Sequence, residues 1–350
     1  MLDNFSGNAI MTKAKAMYGS HLTVSQYREL MNKRSVSEIA AYLRSETQYG
    51  DVLKEVNPGS IHRGQLENLL RESRFLQYRE LMRYNTAAKT DYYHYFIAEI
   101  EIEQILRMIR LLNMGTPEQY VLQYPRFVER YISFRMDRMA KAKSFDDMLN
   151  VLEGTLYPRQ LAGLRPKPGE LIDYTRCETA LYNYYYAEIE ATVRRCFHGG
   201  TRNQLNEMFQ VHVELINIRN IYRLKKYFPG AAPDMFQKSF VSAWRRVPSS
   251  DMERLTDAGD EAAFFAALNQ SRYAKYFEPK DFEFIESRVK NIRYQSAKRH
   301  LHFTGAAPVA FTAYMTLCEI ELGNIVSIIE GVRYNVAPAE IQKILILPND

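Results

Sequence analysis

The sequence lacks the short motifs that mark most nucleotide and metal sites. It contains no G-x-x-x-x-G-K-[ST], no G-x-G-x-x-G and no H-E-x-x-H, so neither a phosphate loop nor a zincin site is indicated. The cysteines Cys177, Cys196 and Cys318 form no C-x-x-C pair, which favours isolated buried thiols in a reducing compartment. Neither His94 nor His212 has further ligands at metal spacing. We therefore predict no catalytic residue, no cofactor and no metal site.

Glycine and proline are sparse, with 16 and 13 residues in a chain of 350, and they fall between apolar stretches rather than in tracts. No stretch alternates with period two for long enough to indicate a sheet. The net charge of +5 is mild and spread along the chain, which gives no strong case for nucleic acid. We interpret the tyrosine clusters around 92–96 and 182–186 as packing between helices. The composition therefore predicts an all-α protein with long helices and short connections.

An apolar leader is missing as well. The first residues include Asp3 and Asn4 and contain no apolar core, so no signal peptide is predicted. Residues 301–318 carry no formal charge, but they include Gly305 and Pro308. Because a membrane span needs about 20 predominantly apolar residues, we predict a buried helical hairpin here and no transmembrane helix.

What the sequence does contain is one polar marker in three copies. The pattern E-x-x-[QN]-I recurs roughly 110 residues apart, as expected of an internal repeat. Its carboxylate and amide fall at i and i+3, so they share one helical face beside an apolar stripe. A carboxylate in that position needs a hydrogen-bond partner or a wet cavity. The marker residues are Glu101 with Gln104, Glu214 with Asn217, and Glu321 with Asn324.

A second marker, [TS]-x-Y, runs in phase with the first. Its copies lie at residues 47–49, 155–157 and 271–273, and each of them follows a short apolar run. Two markers in the same order predict three helical repeats, each with short helices followed by two long ones. A short helix is predicted at 35–44, where Ser35 and Glu38 form a capping-box pair. The predicted repeats are residues 1–118, 119–231 and 232–350, and the predicted long helices are 61–84, 89–113, 171–197, 201–228, 281–303 and 308–333.

A third polar position is less regular. Arg110 and Arg223 follow the glutamates of their markers by nine residues, whereas the third copy has Glu330 there and Arg333 three residues later. Nine residues correspond to about 900° of rotation and ~13 Å of rise, so Arg110 cannot pair with Glu101 in the same helix. We predict that the glutamate, amide and arginine positions form either an internal network between helices or a surface that binds a partner.

These features resemble the C subunit family of V/A-type ATPases, whose eukaryotic counterpart is the d subunit of V-ATPases. The resemblance rests on the two markers and on two further segments, Lys13-Ala14-Lys15-Ala16 near the start and residues 329–334, IEGVRY, near the end. It covers nearly the whole chain. It implies a funnel-shaped body built from three pseudo-symmetric helical repeats.

Proteins of this kind lie on the cytoplasmic face of the membrane rotor ring and receive the tip of the central shaft. The resemblance therefore implies a peripheral, non-catalytic central-stalk subunit of a proton- or sodium-translocating ATPase. Its expected partners are D/F-type shaft subunits and the proteolipid ring, with no nucleic acid and no small-molecule substrate. The alternative is a helical scaffold or adaptor that binds a partner helix in a central cavity.

Overall fold

Regular structure in the described part of the chain is helical. No β-strand occurs in the described residues, so the all-α prediction is confirmed. The predicted repeat boundary at 231–232 and the predicted helix starts at 89 and 281 lie outside those residues, and the division into three repeats stays a prediction. The computed structural model describes residues 2–85, 90–228, 235–236, 240–242, 249–277 and 284–348.

The helices are numbered in chain order. The first seven are α1 (Leu2–Tyr18), α2 (Val24–Met31), α3 (Val36–Glu46), α4 (Gly50–Leu53), α5 (Arg63–Met82), α6 (Thr90–Tyr93) and α7 (Tyr95–Asn113). The next six are α8 (Tyr120–Gln123), α9 (Met136–Met139), α10 (Phe145–Val151), α11 (Tyr157–Leu161), α12 (Tyr174–Cys196) and α13 (Gly199–Tyr227). The last five are α14 (Ser249–Asp257), α15 (Glu261–Gln270), α16 (Ile285–Phe303), α17 (Ala307–Arg333) and α18 (Pro338–Ile344).

The predicted long helices correspond to α5, α7, α12, α13, α16 and α17, with ends that differ by a few residues, but the helix predicted at 89–113 is interrupted at His94 and forms the two helices α6 and α7. Local capping explains the observed ends. Helix α12 begins at Tyr174 because the Asp173 side chain accepts a hydrogen bond from the backbone N–H of Arg176 at 3.0 Å, as an N-cap does. Helix α7 ends before Gly115, whose φ of 70° is the left-handed conformation that closes many helices.

The predicted short helix is α3. Ser35 accepts from the N–H of Glu38 at 3.2 Å, so the N-cap is as predicted. The Glu38 carboxylate accepts from the N–H of Arg34 at 2.9 Å instead of from Ser35. The capping pair therefore differs from the predicted box by one residue, and it still satisfies two N–H groups at the start of the helix.

The chain divides into two compact units. The terminal unit comprises Met1–Ala88 and Tyr276–Asp350, and its central element is α17, which packs against α1, α5 and α16. Helix α17 is apolar on most of its circumference, as expected of a helix buried among others. Its residues Ile325, Ile328 and Ile329 lie in one core with residues of the short helices α2 and α3.

Helices α16 and α17 form the predicted hairpin, with a turn at residues 304–306, but it is buried only in part, because His302 and Phe303 at the end of α16 are exposed. By length and composition α17 could cross a membrane, but 78% of its most apolar window is buried inside the protein. A core helix of a folded body has these properties, because its apolar surface is covered by its neighbours.

The middle unit comprises Lys89–Lys275. Helix α7 packs against α10 and α12, and α12 also packs against α11 and α13. Helix α13 packs against α14 and α15. Buried apolar residues on α7, α12 and α13 form its core, including Ile105, Met108, Leu181, Val193 and Ile218.

Candidate functional site

The polar residues of the first marker are all buried. Glu101, Glu214 and Glu321 are 6%, 5% and 4% exposed, and they are the buried glutamates among the described residues. Each lies on a long helix, α7, α13 or α17, beside apolar side chains that are themselves buried. The amides of Gln104, Asn217 and Asn324 are buried with them. Since buried carboxylates are costly without partners, the partners decide what these positions do.

The second marker forms the same turn three times. In each copy the hydroxyl of the first residue, Thr47, Thr155 or Ser271, donates to a backbone carbonyl of the preceding helical turn, at 2.6, 2.7 and 2.7 Å. It also accepts from the N–H of the tyrosine two residues later, at 3.3, 3.3 and 3.1 Å. Serine and threonine close local turns in this way. The turn therefore sets the direction in which each tyrosine leaves the backbone.

Tyr49 and Tyr157 each donate a hydrogen bond to one of the buried glutamates, and the hydroxyl of Tyr273 interacts with the third. We call the three contacts the Glu–Tyr pairs. They connect the predicted repeats in a cycle, since the glutamates of repeats 1, 2 and 3 bond the tyrosines of repeats 2, 3 and 1. The pairs are Glu101 Oε2 with Tyr157 Oη at 2.5 Å, Glu321 Oε1 with Tyr49 Oη at 2.8 Å, and Glu214 with Tyr273.

The carboxylate of Glu321 has the most donors. Its Oε2 accepts from the N–H of Leu22 at 2.8 Å and lies 3.0 Å from Nδ1 of His21, and its Oε1 accepts from Gln48 at 2.7 Å. Burial is the largest single effect and favours the neutral imidazole, but the charge of Glu321 and the hydrogen bonds with Cys318 and Glu321 together outweigh it and raise the pKa of His21 to about 10. Burial likewise opposes the charged carboxylate, yet His21 and the hydrogen bonds hold the pKa of Glu321 below its ordinary value. The two form a buried ion pair at neutral pH.

The carboxylate of Glu214 is bound by side chains of this chain as well. Arg272 forms an ion pair with it, and Gln210, one helical turn earlier on α13, donates to Oε1 at 2.8 Å. Burial raises the pKa of Glu214, and the bonds from Gln210, Tyr273 and Arg272 counteract that effect. Arg272 is the middle residue of the third [TS]-x-Y marker.

Glu101 is bound more sparsely. Its carboxylate accepts two hydrogen bonds, one at Oε2 from the hydroxyl of Tyr157 and one at Oε1 from the backbone N–H of Ser133. No lysine, arginine or histidine in the described part of the chain pairs with it. Ser133 lies before the short helix α9 in the same way that Leu22 lies before α2, so the backbone donors of Glu101 and Glu321 come from similar places.

Two of the three amides fasten the chain segment that follows the helix. Asn217 donates to the carbonyl of Val241 at 2.9 Å and accepts from its N–H at 3.0 Å. Asn324 makes the same two bonds with Ile346, at 2.6 and 3.0 Å. The amide thus satisfies both backbone groups of one extended residue, as a neighbouring strand would. Gln104 is one methylene longer, and its Oε1 has no partner among the described residues.

The arginines lie apart from the glutamates. Arg110 is exposed and contacts the ring of Tyr174, with Nη1 3.4 Å from the hydroxyl. Arg223 is exposed on α13, and Arg333 lies 5.4 Å from the centre of the Tyr334 ring. Glu330, which replaces the repeated arginine in the third copy, forms an ion pair with Arg63. The structure therefore brings the glutamates and tyrosines together and leaves the arginines on other faces.

Two of the repeated glutamates line cavities. A cavity of about 280 Å³ in the terminal unit is lined by Glu321 and Asn324 together with Tyr18 and His21. A cavity of about 370 Å³ in the middle unit is lined by Glu101 with tyrosine rings from α6, α7 and α12. The marker face of these helices is therefore buried against the protein on one side and borders open space on the other.

Residues 10–344 match the family described as ATP synthase (C/AC39) subunit. The chain belongs to this family. The match extends across all three markers of each type, so the polar residues described above lie within the part of the chain that defines membership.

Curated relatives of the chain are named as C subunits of A-type ATP synthases. The protein of Thermococcus kodakarensis is 22% identical over 75% of this chain and 68% of its own length. That of Desulfurococcus sp. is 24% identical over 61% and 56%. That of Methanosphaera stadtmanae is 23% identical over 95% and 86%. Sequence identity is low for all three relatives. The match to the Methanosphaera stadtmanae protein nevertheless covers nearly the whole of this chain.

Family membership makes the chain a subunit of a rotary ATPase, in an assembly with other ATPase subunits that is associated with a membrane. The C subunits of such assemblies are accessory subunits, and this agrees with the absence of nucleotide motifs from the sequence. One expectation needs correction: Cys177 and Cys318 are buried thiols, but Cys196 is only half-buried. It lies at the C-terminal end of α12, where the helix surface is incompletely covered.

Several residues of the site carry no pattern in the sequence. His21, Leu22 and Ser133 donate to the glutamates from segments outside both markers. Tyr27, which Asn324 contacts at 3.2 Å, also lies outside them. Arg272 could have been recognised as a candidate site residue from the sequence. It is the middle residue of the third [TS]-x-Y marker, where the other two copies have Gln48 and Leu156.

Proposed function

We propose that this chain is the non-catalytic socket of the central stalk, which couples the rotating shaft to the membrane rotor ring for ion transport or ATP synthesis. The observation that carries the proposal is the cycle of Glu–Tyr pairs. Each pair fastens a long helix of one repeat to the turn of another through a buried, charged hydrogen bond. Such bonds are about twice as strong as neutral ones, and they resist sliding between the elements that they join.

A stalk protein that couples the rotating shaft to the rotor ring has to transmit energy without being deformed. Moving one charge across 100 mV is worth ~2.3 kcal/mol, so a step that moves a few ions transmits on the order of 10 kcal/mol. An exposed ion pair contributes only ~0–1 kcal/mol. A stiff body with a broad interface is therefore required, and long helices fastened at several buried points meet that requirement.

We further propose that the three repeats surround a common axis as a funnel, with the marker faces toward its inner wall. The cavities beside Glu101 and Glu321 support this placement, since they leave part of the marker face open to a partner. Shaft subunits of the D/F type would enter there, and the proteolipid ring would bind the opposite end. Because α17 is mostly buried within its own unit, the chain would lie peripherally on the cytoplasmic face.

Co-purification tests the proposal. A tagged chain expressed with the whole ATPase should bring down both the shaft subunits and the proteolipid ring. An adaptor that binds a single partner helix would bring down one protein and no ring. Recovery of the shaft without the ring, or of the ring without the shaft, would contradict the socket role, because a socket has to hold both.

A further inference from the structure

The three [TS]-x-Y turns differ in what their middle residue offers to the glutamate. Gln48 donates to Glu321 at 2.7 Å, and Arg272 forms the ion pair with Glu214. Leu156, the middle residue of the remaining turn, has no polar atom in its side chain. Glu101 therefore receives nothing from a position that supplies a donor in both other copies.

A positive charge faces two of the three glutamates. His21 lies 3.0 Å from Glu321, and Arg272 pairs with Glu214. Glu101 has two neutral donors and no cationic partner in the described part of the chain. A carboxylate has about four acceptor sites, and one that is buried without a cation is costly. The first copy thus differs from the other two, because no cation of the described part of the chain pairs with its glutamate.

Open space exists where that cation would lie. The cavity of about 370 Å³ beside Glu101 is within the roughly 300–1,000 Å³ that small ligands occupy. The rings of Tyr92, Tyr95 and Tyr184 line it. The faces of tyrosine rings attract ammonium and guanidinium groups. A cation in the cavity would therefore meet a buried carboxylate and aromatic rings together.

The charges at the rim are mostly negative. Asp91 and Glu188 line the cavity from exposed positions, and Arg195 lies 3.5 Å from Asp91. Three carboxylates, counting Glu101, thus line the cavity together with one guanidinium and the imidazole of His94. Leu156 is 44% exposed at this cavity, and it offers apolar surface of the kind that the methylene stem of a long basic side chain covers.

We propose that the cavity beside Glu101 receives a lysine or arginine side chain of another subunit of the ATPase. The partner's cation takes the place that Arg272 and His21 occupy within this chain in the other two copies. Glu101 thus pairs with a cation of a partner subunit, whereas Glu214 and Glu321 pair with cations of this chain. The proposal needs only that the chain assembles with other ATPase subunits, and it holds whether or not the chain is the socket.

Agmatine, which is arginine without its carboxyl group, serves as a probe for the full-length isolated chain in titration calorimetry. We expect one saturable site. Glu101→Gln should weaken binding about tenfold or more, because a hydrogen bond to a charged group contributes roughly that much. Glu118→Gln removes the same charge from an exposed position outside the cavity and should leave binding unchanged. No binding by the unaltered chain, or equal binding by E101Q, would overturn the proposal.

Leu156→Arg provides a second variant, in case E101Q does not fold. It places in this turn the residue type that position 272 has in the third copy, so the cation is supplied internally. We expect loss of agmatine binding together with a higher melting temperature. Agmatine binding that persists in L156R would overturn the proposal, because an occupied cavity cannot accept the probe.

The assembled ATPase distinguishes a partner side chain from a free organic cation. If a partner fills the cavity, complexes built with the unaltered chain and with E101Q should bind agmatine equally. If the complex with the unaltered chain binds one more agmatine than the E101Q complex, the cavity is open in the assembly. That result would reassign the site to a free cation and overturn the assignment to a partner side chain.

Discussion

The hydroxyl groups of Tyr49, Tyr157 and Tyr273 matter because their acceptors are buried carboxylates. Burial first, and the nearby Glu101 second, raise the pKa of Tyr157 far above its ordinary value. The hydroxyl therefore keeps its proton and donates at any physiological pH. Removing the donor leaves a buried charge with one bond fewer, and such a loss costs more than the mean value of a hydrogen bond.

Tyr157→Phe should destabilise the chain by ~1.5–3 kcal/mol, the usual contribution of a hydrogen bond to a charged group. Urea unfolding measures the change. Tyr84→Phe is the matched control, because Tyr84 is an exposed tyrosine, and such surface changes stay within ~0.5 kcal/mol. Equal stability of the two variants would show that the Glu101–Tyr157 bond contributes nothing to the fold.

The ion pair of His21 and Glu321 predicts a pH dependence. The pKa of His21 rises from 6.5 in the unfolded chain to about 10 in the folded protein, so its contribution is complete below pH 6.5 and is lost as pH rises toward 10. The lowered pKa of Glu321 adds stability above its ordinary value of 4.5, which is lost at lower pH. We expect His21→Gln to cost ~3–5 kcal/mol near pH 6 and progressively less toward pH 10.

Unfolding free energies of the H21Q variant and the unaltered chain, measured at several pH values, give this difference directly. Lys33→Gln is the control, because the pair of Lys33 with Glu29 is exposed on the Glu29 side and 3.5 Å long. Its cost should stay below ~1 kcal/mol throughout. A difference for H21Q that does not change between pH 6 and pH 10 would refute a charged His21.

At the scale of elements, buried amides hold extended segments against the long helices. Asn324→Ala should free the N–H and the carbonyl of Ile346, which Asn324 bonds at 3.0 and 2.6 Å. We expect a loss of ~1–3 kcal/mol and faster hydrogen exchange at the Ile346 amide. Asn203→Ala, at an exposed position of α13, should leave both unchanged. Unaltered protection of Ile346 in N324A would show that another contact holds the segment.

Sequence periodicity predicts the elements well where the rule is local. Helical spacing places Glu101 and Gln104 on one face of α7, and both are buried there. The [TS]-x-Y turn is local too, since Thr155 bonds backbone atoms within three residues of itself. Long helices and their capped ends follow for the same reason, because propensity and caps act over a few residues.

The partners across the chain could not be predicted in this way. Tyr157 lies 56 residues from Glu101, and Tyr49 lies 272 residues from Glu321. No local rule sets such distances, because they depend on how the helices pack. His21 is likewise an isolated histidine in the sequence and becomes a partner of Glu321 only through the fold. The spacing predicts that the repeated glutamates lie beside an apolar stripe and need polar partners. Only the packing of the helices shows which residues bind them.

At the scale of the whole molecule, the cycle of Glu–Tyr pairs gives the proposed socket its physical basis. Rotation applies a twisting load, and a body yields where its elements slide past one another. Each pair joins one predicted repeat to another at buried side chains, where salt screens the interaction much less than at an exposed contact. The load would then pass through several such points rather than through one exposed contact.

Reconstituted membranes test the central claim most directly. ATPase complexes assembled with and without this chain are compared for ATP hydrolysis and for ATP-driven membrane potential, which a potential-sensitive dye reports for protons and sodium alike. We predict that complexes without the chain still hydrolyse ATP but build no potential, and that adding the purified chain restores it. A full potential in complexes that lack the chain would contradict its role as the coupling socket.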